Sequence, residues 1–203
     1  MTLKAGLCKG FAGNPNFRFA RVRADQVPGN FSARTGRLLV TGLGNTLFSD
    51  DGAGIRVARM VKSRLKDPRV EVRELSRGGL DLVEAAAGYP AVLIIDAVKA
   101  AGCRPGALYR LSIPVGSKEA GSLVPPAGVH GMDLASALNL FQALGLPYPR
   151  HLEIYGIGVK DPETIGERCT PVVEAALEGI AARLARRVKT LIQMLEDWRV
   201  CGN

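Results

Sequence analysis

From residue 37 onward the apolar positions alternate between two periods. "RLLVTG" (37–42) is a nearly unbroken apolar run, as expected of a strand buried on both faces. "GIRVARMVKSRL" (54–65) brings Ile55, Ala58, Val61 and Leu65 onto one helical face. "RVEVREL" (69–75) alternates as a strand, "GLDLVEAAAG" (79–88) predicts a short helix, and "AVLIIDAV" (91–98) has the apolarity of a central parallel strand. "ALYRLSI" (107–113) follows after only a Gly/Pro-rich turn. No crossover helix fits there, so this strand should run antiparallel at an edge. A long loop (114–131) leads into an amphipathic helix (132–145) through Leu134, Ala137, Leu138 and Phe141. "HLEIYGIGV" (151–159) is a fifth strand. A long helix (170–198) closes the chain, with Thr170 as N-cap, Pro171 as first helical residue and a stripe from Val173 to Leu195.

This order predicts a single α/β domain with a mostly parallel twisted sheet of about five strands, one antiparallel edge strand and helices on both faces. Residues 38–198 form the domain, 1–37 a basic and flexible N-terminal extension, and 199–203 a tail. In such sheets ligands bind beyond the carboxyl ends of the strands, where the strand order switches.

Composition narrows the class. The 203 residues are 47% hydrophobic and 23% charged, enough for a proper core. The net charge of +8 is uneven: residues 1–37 hold seven Lys and Arg against one acidic residue, Asp25. The basic character belongs to the arm, and nucleic-acid binding is not expected of the folded body. No apolar run approaches a membrane span, and the N-terminus lacks the apolar core of a secretory signal, so a cytoplasmic location is expected. Cys8, Cys103, Cys169 and Cys201 are scattered, with no C-x-x-C pair for zinc or redox chemistry.

Polar residues at the expected switch carry the chemistry. "GLGNTLFSDDGAG" (42–54) resembles a phosphate loop, but it lacks a third glycine, and Asp50 and Asp51 would repel a phosphate. One of the two can cap the following helix, and Asp50 is assigned that role; Asp51 is then free for another. Asp96 ends the apolar strand "LIIDAV", where a carboxylate is costly unless engaged. His130 precedes a helix, whose dipole favours the neutral imidazole that ligates metals or accepts protons. His151 reads as an ordinary exposed residue. Two carboxylates and an imidazole make a mixed oxygen and nitrogen set suited to a borderline divalent metal such as nickel or zinc. There is no G-x-S-x-G elbow and no G-x-x-x-x-G-K-[ST] loop.

The ordered segments "VTGLGNTLFSDDGAGIRVA", "LIIDAV", "PGALYRL", "HGMDLASAL", "EIYGIGV" and "TPVVEAAL" resemble the hydrogenase maturation endopeptidases. The resemblance spans about residues 38–185. It implies an endopeptidase that removes a C-terminal extension from the precursor of a nickel–iron hydrogenase large subunit after nickel insertion. By motif position, Asp51, Asp96 and His130 would recognise nickel already carried by that precursor, with the general base unassigned and no tightly bound cofactor. One departure is "ELSRGGLDLV", where Arg77 stands near a threonine of the family pattern. A non-cleaving chaperone of the same fold, binding the metal site of a partner, is the alternative; a nucleotide-binding α/β protein is a more distant one.

Overall fold

The computed structural model describes residues 36–76, 78–111, 146 and 149–201. Arg77, His130, the long loop and the helix expected over 132–145 lie outside the described residues. The elements are β1 (Leu38–Leu43), α1 (Ala53–Arg64), β2 (Val70–Leu75), α2 (Leu80–Ala86), β3 (Ala91–Val98), β4 (Leu108–Leu111), β5 (His151–Gly158) and α3 (Pro171–Cys201). A single 3-10 turn, Asp50–Gly52, leads directly into α1.

The five strands form one sheet in the order β2-β1-β3-β5-β4. β1 pairs in parallel with both β2 and β3, β3 pairs in parallel with β5, and β4 closes the edge antiparallel to β5. The short Gly/Pro turn before β4 thus has the consequence expected of it: too little chain to cross over, hence an antiparallel edge strand.

The period-2 alternation of the central strands sorts their side chains between two cores. Leu38, Val40, Leu93, Ile95 and Ile157 pack with α1 and α3, while Leu39, Leu43, Val92, Ile94 and Ile154 pack with α2. Helices therefore lie on both faces. Ile55, Ala58 and Val61 of α1 and Leu65 just after it are buried, and in α3 so are Val173, Leu177, Ile180, Leu184, Val188, Leu191 and Leu195. Each such large side chain contributes roughly 1.5–3 kcal/mol on burial. Among the described residues no helix is long and apolar enough to cross a membrane.

Candidate functional site at the strand switch

The site is set by where β1 leaves the sheet. Its ladder with β3 ends at Gly42↔Ile95, whereas β3 continues beside β5 through Val98↔Gly158. Asp96 is the first β3 residue past that last β1 pair, opposite Gly156. It lies inside the strand rather than at its end, half-buried, and its Oδ1 accepts the N–H of Ala97 at 2.8 Å. β1 is flanked by β2 on one side and β3 on the other, so the strand order reverses at β1, the kind of switch point at which ligands bind in such sheets.

Asp51 reaches this end of the sheet through a compressed loop. Gly44 has φ +135°, and a Cβ on it would stand 2.0 Å from the carbonyl oxygen of Asp51. Only glycine lets the loop fold back this closely. The Asn45 N–H donates to Asp51 Oδ2 at 2.7 Å, and Asp51 is 4% exposed. The first turn of α1 then presses on the ends of β1 and β3: a Cβ on Gly54 would meet Leu43 O at 2.4 Å, Ile95 O at 2.6 Å and Asp96 Cα at 3.2 Å. The turn that carries Asp51 contacts β3 as well. The structure therefore brings the segments of Asp51 and Asp96 together at the switch, while the third candidate, His130, is not among the described residues.

Asp50 departs from its expected role. The residue before α1 is Gly52, and no side chain caps that helix. The Asp50 carboxylate instead accepts the N–H groups of Lys160 (2.9 Å), Asp161 (2.8 Å) and Thr170 (2.6 Å), together with the Thr170 hydroxyl at 3.0 Å. Thr170 occupies the cap position of α3, its carbonyl accepting the Val173 and Glu174 N–H groups at 2.9 Å. Its hydroxyl is committed to Asp50 rather than to the helix.

Sequence reasoning passed over the segment 160–169, which with Thr170 straps down the loop leading to Asp51. Ser49 donates its N–H to Thr164 O and Asp50 to Asp161 O, both at 3.0 Å, and Gly166 donates to Leu47 O at 3.0 Å. Phe48 and Ile165 form an antiparallel bridge, and the Ser49 hydroxyl donates to Arg168 O. The buried Cys169 thiol points at Ser49 O at 3.4 Å, and burial, opposed in part by Arg56, pushes it up to about 11. The turn-forming "KDPET" was the available signal, since Asp161 Oδ1 accepts the Thr164 N–H at 3.0 Å.

His151 is likewise not an exposed residue: it is 6% exposed, and Nε2 lies 2.9 Å from Glu153 Oε1. His151, Glu153 and Tyr155 alternate along β5 onto one face, a pattern readable from "HLEIY".

The sheet order and the approach of the Asp51 and Asp96 segments at its carboxyl end define an α/β protein of the doubly wound kind, in which ligands bind at the strand switch. The model of the HycI hydrogenase maturation proteases matches residues 55–187, a span that begins just after Asp51 and includes Asp96 and His130. The chain belongs to the hydrogenase maturation protease family and is accordingly a protease. The hydrogenase 2 maturation protease of Escherichia coli K12 is 28% identical over 146 residues, covering 70% of this chain and 84% of that protein. The solution structure of an endopeptidase from Escherichia coli superposes with a TM-score of 0.61 at 25% identity, over 75% of this chain and 93% of the other. The Escherichia coli hydrogenase maturating endopeptidase HybD shares the fold, with a TM-score of 0.59 at 22% identity, over 76% and 93% of the two chains.

Proposed function

We propose that this protease removes a C-terminal extension from the precursor of a nickel–iron hydrogenase large subunit after nickel insertion, acting in the cytoplasm. Asp51, Asp96 and His130 recognise the nickel, which arrives as part of the substrate; the enzyme needs no tightly bound cofactor of its own. The supporting observation is the abutment of the first turn of α1, just after Asp51, on the backbone of Asp96 at the strand switch. Two carboxylates delivered to one end of the sheet, with an imidazole, suit a borderline divalent cation. A nickel held there would polarise the scissile carbonyl or lower the pKa of a bound water, so the metal would both identify a finished precursor and prepare it for hydrolysis.

The test is cleavage of purified precursor with and without nickel, read by mass spectrometry of its C-terminus. Nickel-loaded precursor is cut and nickel-free precursor is not. Asp51→Ala, Asp96→Ala and His130→Ala each lower kcat/KM by about 100-fold or more. Equal cleavage of both precursors, or wild-type rates in the three variants, overturns the metal-directed reading. Binding of the loaded precursor without any cut points to the chaperone instead.

A further inference from the structure

We infer that Asp50 is a positioning residue for Asp51: its carboxylate fastens the turn that carries Asp51 to the exit of β5 and the start of α3. The inference rests on the assignment of Asp51 to nickel recognition.

Asp50 has no exposure to solvent. A carboxylate so placed must have its oxygens fully engaged by donors. Oδ2 takes the N–H groups of Lys160 and Asp161 and a share of the Thr170 hydroxyl; Oδ1 takes the Thr170 N–H and the rest of that hydroxyl. Three of these donors are backbone, and backbone donors fix the path of a chain where a long cationic side chain would only tether it.

The backbone of the same stretch is held as well. Asp50 donates its own N–H to Asp161 O, and Ser49 donates to Thr164 O. Asp50 and Asp51 are consecutive in a 3-10 turn, where successive side chains diverge by about 120°. Once the backbone of this turn is fixed, the direction in which Asp51 leaves it is fixed too, and the Asn45 N–H then holds its carboxylate. None of this serves α1, whose first turn has no side-chain cap. The bonds of the Asp50 carboxylate all run to 160–170, the segment that also bonds Leu47 and Ser49 in the loop leading up to Asp51.

The Asn45 amide reports the outcome directly, because it donates to Asp51 Oδ2 at 2.7 Å. Its proton resonance in a 15N-labelled sample is displaced by that short bond to a carboxylate. Asp50→Asn puts an amide NH2 group against donor N–H groups and breaks the fastening on one side. In the folded variant the Asn45 resonance should move toward its position in Asp51→Ala, and kcat for the nickel-loaded precursor should fall roughly 10- to 100-fold per folded molecule. Thr170→Val replaces the hydroxyl with a methyl group and keeps the three backbone donors to Asp50; it should shift the resonance in the same direction and lower kcat less. An unmoved Asn45 resonance, or wild-type kcat, in either folded variant overturns the inference and leaves Asp50 a purely structural residue. The resonance needs no substrate. The positioning of Asp51 can therefore be judged even if wild-type kinetics show no preference for nickel.

Discussion

Glu153 on β5 and Asp50 in the turn beyond β1 both hold a carboxylate away from water, yet their partners differ in kind. Glu153 lies on the face of β5 that packs against α3. Its oxygens take Arg187 Nε at 3.0 Å, Arg110 Nη2 at 2.9 Å, His151 at 2.9 Å and the Tyr155 hydroxyl at 3.0 Å. Cations within the chain neutralise it there, and it joins β4, β5 and α3. Asp50, at the other end of the strands, is met by backbone N–H groups and one hydroxyl, none of them a cation. The contrast teaches that burial alone does not say what a carboxylate is for. Partners that neutralise make a joint, whereas neutral donors on a fixed backbone make a mount.

The largest effect expected on this contrast comes from the backbone beneath the mount. Gly44→Ala forces a Cβ to within 2.0 Å of Asp51 O at a φ of +135°. The clash is with backbone, next to the Asn45–Asp51 bond, and the change should cost about 3 kcal/mol or more in urea unfolding. Gly179→Ala in α3 is the control: nothing lies within 4 Å of the added carbon. That variant should gain about 0.5–1 kcal/mol from helix propensity. Equal stability of the two variants would show that the loop around Asp51 is not packed as tightly as the mount requires.

The fold was legible because each strand and helix carries its period over enough residues. The runs that became β1, β3 and α3 are apolar wherever they contact the core, and the turn before β4 is too short to cross over. Asp51 and Asp96 could be placed because topology alone brings the ends of β1 and β3 together. What stayed hidden were partnerships set by loop geometry. The Asp50 carboxylate meets amides more than a hundred positions away, and no period or spacing encodes that contact. His151 was misjudged for a related reason: its burial depends on Glu153 and on Trp198, whose ring stands 6.4 Å from the imidazole, and α3 brings Trp198 there only after folding.

The next largest effect separates joint from mount by pH. Burial alone would raise the Glu153 carboxyl, but hydrogen bonds from His151 and Arg187 and the charges of Arg110 and Arg187 outweigh it and hold the group well below the usual carboxylate range. A depressed folded-state value means stability that is present above the ordinary 4.5 and lost as pH falls toward the folded value. Glu153→Gln should therefore cost about 2 kcal/mol at pH 7. This is below the range for a broken buried pair, because Arg110 and Arg187 remain partly exposed. The gap between wild type and variant should narrow as the pH is lowered through 4.5 in urea titrations. Precursor cleavage per folded molecule should be unchanged, unlike that of Asp50→Asn. A matching loss of cleavage in Glu153→Gln would erase the division between the two ends.

The smallest effect is chemical and tests whether the strap stays closed. Cys169 is the counterpart of Glu153 with the sign reversed: burial is the largest influence, Asp50 and Glu174 add to it, and Arg56 only partly opposes it, so the thiol rises from 9.0 to about 11. A raised acid favours the folded state below its ordinary value and loses that contribution as pH climbs through the folded value, here in strongly alkaline solution. At pH 8 a thiol of that kind is about 0.1% thiolate. Folded protein treated with iodoacetamide and mapped by peptide mass spectrometry should show Cys169 modified at least ~100-fold more slowly than in urea. Cys103, which is only half-buried, should be protected far less. Fast modification of Cys169 in the native protein would mean that 160–170 lifts off the 44–52 loop in solution. The Thr170 and Lys160 donors would leave Asp50 with it, and Asp51 would lose the support that distinguishes its end of the sheet from the Glu153 joint.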